Sequence, residues 1–444
     1  MRIVVIGGGP AGLSAALSAV RASQSCKVML ITEDSHLGYC QCATPLLFSR
    51  ALSSVAESIP DDVQRLEGMG IETRVATRVV NIDADAKSVI TDTGERHEFD
   101  KLVLAMGSGK PGKASIVGVQ SQNVYQLWGL ETALRLQARL KDAENVVVLG
   151  TGFIATEVMC FAAPHYRVHV MDARAVPKYP TAAVSSELAT RFNQDVEKLG
   201  IRFHMNVDWA DAEIRDDGIS LGSTFVPADI VVDTVGESED VFWLVHDVGV
   251  ERGVTGFILV NERMETTVPD IYAAGDCCEY VDFLGSPARS FGEPSALLEG
   301  IVAGANAAGD QATVDPLVMP SVLASDGLEL AWVGISSREM AEPFDMQIDS
   351  ALGTGFTCAP YYPGSAEVWA HIFAERGSGR IVGGAFYGKT GTQSRVTLLG
   401  MAIKKGLTVS ELMNLETAFM PNVSDVPEAV VMACDRLRRK LARG

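Results

Sequence analysis

A glycine-rich turn between a short apolar strand and a small-residue helix occurs twice in this chain. That repeat limits the chain to folds containing two nucleotide-binding β-α-β units. In the first, Arg2-Ile3-Val4-Val5-Ile6 reads as a buried strand and Gly7-Gly8-Gly9-Pro10-Ala11-Gly12 opens a helix from Leu13 to Ala22. A second strand, Lys27 to Thr32, then ends in Glu33. Gly7 permits the tight turn, Gly9 lets backbone amides approach a pyrophosphate, and Gly12 allows close helix-strand packing, with the helix N-terminus turned to the phosphates. Glu33 lies 21 residues beyond Gly12, where a carboxylate accepts from ribose hydroxyls. In the second unit, the strand Asn145 to Leu149 runs into Gly150-Thr151-Gly152-Phe153-Ile154-Ala155, a helix continues through Ala163, and the strand Arg167 to Met171 ends in Asp172. Ala155 stands at the third glycine position. An acid at Asp172 favours the free 2′-hydroxyl of NADH over the 2′-phosphate of NADPH, while Arg174, two residues on, pulls the other way.

The order of the remaining elements predicts one dinucleotide domain inserted into another. Short strands are expected over Gly70 to Val80 and Ser88 to Thr91, and an apolar strand, Lys101 to Ala105, runs into Met106-Gly107-Ser108. A strand from Asp229 to Val235 ends at Gly236, and Asp270 to Asp276 forms another that closes on an acid, followed by a helix from Ser295 to Ala308. From about Leu328, short apolar runs alternate with helices near 395–405 and 409–415, the latter opened by a Thr408/Glu411 capping box. The expected division is a first dinucleotide domain over 1–115 and 246–325, a second over 116–245, and a C-terminal α+β domain over 326–444.

Composition narrows the partners. A net charge of −19 repels nucleic-acid phosphates and anionic lipid, so neither nucleic acid nor membrane is expected. No apolar run approaches the ~20 residues of a membrane span, and no positive segment leads into a cleavage site, so a cytoplasmic protein is expected. The eight cysteines are too sparse for a secreted disulfide framework, and only Cys40 and Cys42 form a close non-adjacent pair. No cysteine or histidine pairing supplies a four-ligand zinc site, so no metal is expected.

The stretches Gly7 to Gly12, Phe99 to Ser108, Gly150 to Glu157 and Ala273-Ala274-Gly275-Asp276 occur in the order seen in the pyridine nucleotide-disulfide oxidoreductases. Over nearly its whole length the chain resembles that family. It looks most like the branch holding coenzyme A-disulfide reductases, NADH oxidases and peroxidases, and persulfide reductases. The resemblance implies two Rossmann-like domains binding FAD and NAD(P)H, plus a C-terminal dimerisation domain. FAD would meet Gly7, Gly9, Pro10, Ala11, Gly12, Glu33, Val79 beside the adenine, Ala105, Gly107, Gly275, and Asp276 on the ribityl chain. The nicotinamide cofactor, NADH rather than NADPH, would meet Gly150, Gly152, Phe153, Ile154, Glu157, Asp172 and Gly236. Tyr361-Tyr362-Pro363-Gly364 and Ala418-Phe419-Met420-Pro421 match the dimerisation domain, which implies a homodimer and sets Tyr361 and Tyr362 toward substrate.

Two-electron sulfur chemistry beside a flavin needs a thiolate that attacks a disulfide. Cys42, in Gly38-Tyr39-Cys40-Gln41-Cys42-Ala43-Thr44-Pro45, aligns with the single redox cysteine of the resembling branch and precedes an expected helix from Leu46. Cys40 could resolve an oxidised Cys42. An extended backbone would hold sulfurs two residues apart too far for a disulfide, so a local bend is required. The other cysteines, Cys277-Cys278 included, read as packing residues. Pro10 stands where oxidases and peroxidases of the branch carry His, which argues against those activities. Arg21 is the sole arginine of the first helix and Phe419 replaces a phenol, which argues against coenzyme A itself. No rhodanese-type persulfide domain is expected. The implied activity is an FAD-dependent NAD(P)H oxidoreductase acting through Cys42 and Cys40 on a small disulfide or persulfide. The alternative is an NAD(H)-linked electron-transfer subunit serving a ferredoxin-bearing partner, for which Arg436-Leu437-Arg438-Arg439-Lys440 is a docking candidate.

Overall fold

The structure, a computed structural model, describes residues 1–443 apart from 53, 60–62, 110–111, 236–241 and 326. Arg2–Ile6 pairs in parallel with Lys27–Ile31 on one side and Lys101–Leu104 on the other. Ile71–Arg74 and Ile271–Ala273 complete this five-stranded sheet. The second parallel sheet runs Arg202–Met205, Arg167–Asp172, Asn145–Leu149, Ile230–Asp233, Val124–Tyr125. Because Ile271–Ala273 follows the whole second sheet in sequence yet closes the first, one dinucleotide domain is inserted into the other, as the element order predicts. Both central strands are buried on both faces, which is why they read as unbroken Val, Ile and Leu runs. A third, antiparallel sheet of five strands from Ser321–Ser325 to Ile381–Gly388 forms the C-terminal part and packs on Thr392–Lys404 and Ala429–Leu441. The Thr408/Glu411 capping box is formed at the start of Val409–Met413. No helix among the described residues is long and apolar enough to cross a membrane.

Two close helix contacts set the positions of the functional loops. The helix Pro10–Ala22 packs along Glu293–Ala307, where Gly300 and Gly304 rest against the Ala11 and Ala15 carbonyls: a Cβ would lie 2.2 and 2.0 Å from those oxygens. Small residues at these two positions bring the start of the second helix beside the first glycine turn.

The segment after the first unit departs from expectation. A helix beginning at Leu46 is replaced by a 3-10 helix over Gln41–Ser49 that begins five residues earlier and carries Pro45 inside it. Its first turn closes through Ala43 N–H donating to Cys40 O at 3.0 Å. Leu47 and Phe48 anchor it in a core shared with Ala155 and Val158 of Phe153–Ala162 and with Leu330 of the C-terminal sheet. The cysteine segment therefore sits where all three parts of the chain meet.

Candidate functional site

The first glycine turn is built to leave one face open. Gly7 has φ +117°, and a Cβ there would lie 2.0 Å from Ala105 O. A Cβ on Gly12 would lie 1.9 Å from Gly7 O. A Cβ on Gly9 would meet nothing within 4 Å. Gly7 and Gly12 thus close the turn, while Gly9 faces space at the N-terminus of Pro10–Ala22, the arrangement that accepts a pyrophosphate. Gly107, at φ +68°, also has open space beside it, and Ala105 and Val79 are buried nearby in sequence to their strands. Glu33 is exposed at the sheet end, 3.6 Å from the Arg78 guanidinium. Gly275 N–H donates to Glu299 Oε2 at 2.8 Å. Burial raises the Glu299 carboxyl to about 7. Asp276 accepts from Gly292 N–H at 3.2 Å, and burial raises its carboxyl despite the nearby Arg289 guanidinium. Arg289 Nε is buried without a hydrogen-bond partner among the described residues. An open amide-lined turn, a half-buried acid and an unpartnered guanidinium nitrogen fit the diphosphate and polyhydroxyl chain of FAD.

The second turn repeats the logic. Gly150, at φ +98°, is closed off by Thr234, whose Oγ1 would lie 2.8 Å from a Cβ there, whereas Gly152 opens onto space at the start of Phe153–Ala162. Ile154 is exposed, while the Phe153 ring packs edge-on against Tyr179 and Trp332 at 6.0 and 5.9 Å. Asp172 ends its strand as expected but is buried, with both oxygens engaged. Oδ2 accepts from Thr151 Oγ1 at 2.5 Å and Oδ1 from Arg174 N–H at 2.9 Å. The open Gly152 face and the strand-end acid fit the pyrophosphate and ribose of a nicotinamide dinucleotide. Gly236 lies outside the described residues.

The structure draws the two cysteines together. Gly38 N–H donates to Gly8 O at 3.0 Å, tying the loop to the first turn, and Cys40 N–H donates to Ser58 O at 3.2 Å. Cys40 caps the 3-10 helix and Cys42 lies in its first turn. The smaller rise of that helix, about 2.0 Å per residue against about 3.3 Å in a strand, supplies the bend that the pair requires. Both sulfurs and a carboxylate oxygen of Glu293 lie within 4.8 Å of one another. Cys40 Sγ donates to Glu293 Oε2 at 3.1 Å. The hydrogen bond from Cys40 lowers the Cys42 thiol to about 7, against the opposing pull of burial and of Glu293 and Asp276. Cys40 is raised, by its neighbour Cys42, by burial and by Glu293. Cys42 is exposed and Cys40 half-buried, so a nucleophile that is thiolate near neutral pH faces outward beside a protonated partner. Glu157, on Phe153–Ala162, is raised to about 8, first by burial and then by its proximity to Cys42.

Glu293 and Glu299 escape sequence reading. Glu293 carries no local signal, because it reaches Cys40 from 253 positions away. Glu299 does carry one: it is an acid within a buried run of small residues. Cys277 and Cys278 are buried, the Cys277 thiol donating to Ala274 O at 3.3 Å, in keeping with packing. Tyr361 and Tyr362 are exposed, in a loop held to the 418–426 segment by Ala359 N–H donating to Pro421 O at 2.8 Å. Among the described residues neither phenol hydrogen-bonds to Cys40 or Cys42. Much of the basic run near the C-terminus is engaged within the chain. Arg438 and Arg439 pair with Asp435, Lys440 with Asp349, and Arg436 donates to Leu352 O.

Comparison with known proteins agrees with this geometry. A family model described as pyridine nucleotide-disulphide oxidoreductase matches residues 1–312, and one described as the dimerisation domain of that family matches 319–430. The chain is 27% identical to an NADH oxidase of Methanocaldococcus jannaschii, covering 100% of both chains. It is 25% identical to an NAD(P)H coenzyme A polysulfide/persulfide reductase of Pyrococcus horikoshii, covering 97% of each. Among solved structures, an NAD-dependent persulfide reductase from A. fulgidus superposes with a TM-score of 0.90 at 25% identity, over 100% of this chain and 84% of that one.

Proposed function

The chain belongs to the pyridine nucleotide-disulphide oxidoreductase family, and on that premise we propose that it is an FAD-dependent NAD(P)H oxidoreductase whose Cys42 thiolate attacks a small disulfide or persulfide. When bound, FAD and NAD(P)H would supply the hydride and two-electron chemistry that returns oxidised sulfur to thiol. Residues 1–115 and 246–325 hold FAD through Gly7, Gly9, Pro10, Ala11, Gly12, Glu33, Val79, Ala105, Gly107, Gly275 and Asp276. Residues 116–245 hold the nicotinamide dinucleotide through Gly150, Gly152, Phe153, Ile154, Glu157 and Asp172, with NADH preferred because Asp172 opposes a 2′-phosphate. The chain's own residues prepare the sulfur: the neighbouring Cys40 thiol lowers the pKa of Cys42, and the 3-10 turn leaves Cys42 exposed. The C-terminal part, 326–444, pairs two copies, bringing Tyr361 and Tyr362 to substrate, and the enzyme works in the cytoplasm, where its thiols stay reduced.

The observation that carries this reading is the exposed Cys42 with the Cys40 sulfur within 4.8 Å of it, an arrangement that also lowers the Cys42 thiol. Exchange with a ferredoxin-bearing subunit gains nothing from the basic run, most of which is already engaged within the chain. The test is anaerobic reduction of the air-oxidised holoenzyme with dithionite while following flavin absorbance. Uptake of about four electrons per FAD is expected, two for flavin and two for sulfur. Uptake of about two would remove the sulfur centre and turn attention to a protein electron partner.

A further inference from the structure

Resting on the reading of Cys42 as the attacking sulfur, we propose that Glu293 is the base that arms Cys40, so that Cys40 resolves a Cys42-bound intermediate within the same chain. Three features of the structure converge on this. Cys40 Sγ donates to Glu293 Oε2 at 3.1 Å, and both sulfurs and a Glu293 carboxylate oxygen lie within 4.8 Å of one another. Glu293 is held there by the tight packing of Glu293–Ala307 on Pro10–Ala22 through Gly300 and Gly304. Cys40 is fixed from its other side by the Ser58 carbonyl.

The sign of the electrostatics separates this role from simple thiolate stabilisation. A carboxylate beside two thiols disfavours both thiolates, so Glu293 works against the resting Cys42 anion. Its use is as a proton acceptor at the moment Cys40 must become a nucleophile. An acid at the first turn also favours the helix dipole. That benefit reads out as stability and leaves sulfur exchange untouched.

The step balances without an outside oxidant. Attack of Cys42 on a disulfide R–S–S–R leaves Cys42 joined to S–R and releases one thiolate. Cys40 then gives its proton to Glu293, and its sulfur forms a bond to Cys42 Sγ. The Cys42–SR bond breaks, and the second thiolate leaves with the electron pair and takes up the proton from Glu293. The product is a Cys40–Cys42 disulfide, one equivalent of thiolate and one of thiol. With a persulfide carried on Cys42, the same exchange expels hydrosulfide.

The test uses holoenzyme carrying reduced thiols and oxidised flavin, freed of reductant and mixed anaerobically with 5,5′-dithiobis(2-nitrobenzoate), reading the coloured thiolate released and the protein mass. The wild-type protein should release two equivalents per chain above the background of Cys42→Ser and carry no adduct. Cys40→Ser should release one and retain the adduct. Glu293→Gln, which keeps an acceptor but cannot take a proton, should release the first equivalent at least as fast as wild type, because the charge opposing the Cys42 thiolate is gone, and the second at least about tenfold more slowly. Glu293→Asp should recover part of that loss. A wild-type protein that keeps its adduct would overturn resolution by Cys40, and an unslowed second release in Glu293→Gln would overturn the base. If Cys42→Ser released as much as wild type, the reading of Cys42 itself would fail, independently of either result.

Discussion

Arg174 Nη1 lies 3.2 Å from Asp172 Oδ2, so the strand-end acid of the second nucleotide unit and the exposed cation two residues on form one ion pair. With Thr151 also donating to Asp172, the carboxylate is locked at the end of its strand and Arg174 is neutralised by it. The pair explains how an acid and an arginine with opposed preferences coexist. Asp172→Ala, by freeing Arg174 toward a 2′-phosphate, should shift the NADH to NADPH ratio of kcat/KM toward NADPH by about tenfold, roughly 1.4 kcal/mol. Steady-state kinetics with both cofactors measures it, and an unchanged ratio would mean that Asp172 is only a strand-end anchor.

The two flanking glycines of the first turn should separate folding from cofactor retention. Gly9→Ala meets no protein atom within 4 Å, so the chain should fold and melt like FAD-free wild type yet fail to retain FAD. Gly12→Ala drives a Cβ to 1.9 Å from Gly7 O and should lower soluble yield and melting temperature as well. Flavin absorbance per chain together with thermal melts of both variants decides between them.

Cys42 alkylation should titrate with a midpoint near 7, since only the thiolate reacts, falling about tenfold per pH unit below it. Cys40→Ala removes the neighbouring thiol that lowers it, and the midpoint should rise toward the ordinary thiol value of about 8.5. Iodoacetamide rates across pH, corrected by Cys42→Ser, give both values. In the same Cys42→Ser protein, bound yellow FAD and its reduction by NADH should persist while disulfide turnover is lost.

Glu157 links stability to pH. Its folded carboxyl is raised to about 8 from about 4.5, so its neutral form suits the buried site. That contribution is complete below the unfolded value and is lost as pH rises through the folded one. Glu157→Gln, permanently neutral, should therefore melt close to wild type near pH 5 and a few degrees above it near pH 9. A constant difference across that range would refute the linkage.

The surface of the C-terminal part should carry the dimer. Tyr361, Phe419, Met420, Val423 and Val426 are 54–78% exposed in the single chain. Met420→Asp with Val423→Asp should halve the mass seen by light scattering while leaving bound FAD in place, because a charge buried at an interface without a partner is costly.

What the sequence by itself determined is local: the two β-α-β units, their glycine turns, the strand-end acids and the Thr408/Glu411 cap. Each depends on neighbouring residues whose periodicity and allowed φ angles decide the conformation. The insertion of one unit in the other was also legible, because element order alone specifies which strands remain to close the first sheet. The sulfur centre was legible only as a spacing. An extended reading held Cys40 and Cys42 apart, and tertiary packing of Leu47 and Phe48 against Phe153–Ala162 imposed the 3-10 turn that joins them. The same folding brought Glu293 to Cys40 across 253 positions and half-buried Glu157 near Cys42. Proton affinities depend on what surrounds a group once water is displaced. Only the assembled core decided which of these sulfurs keeps its proton.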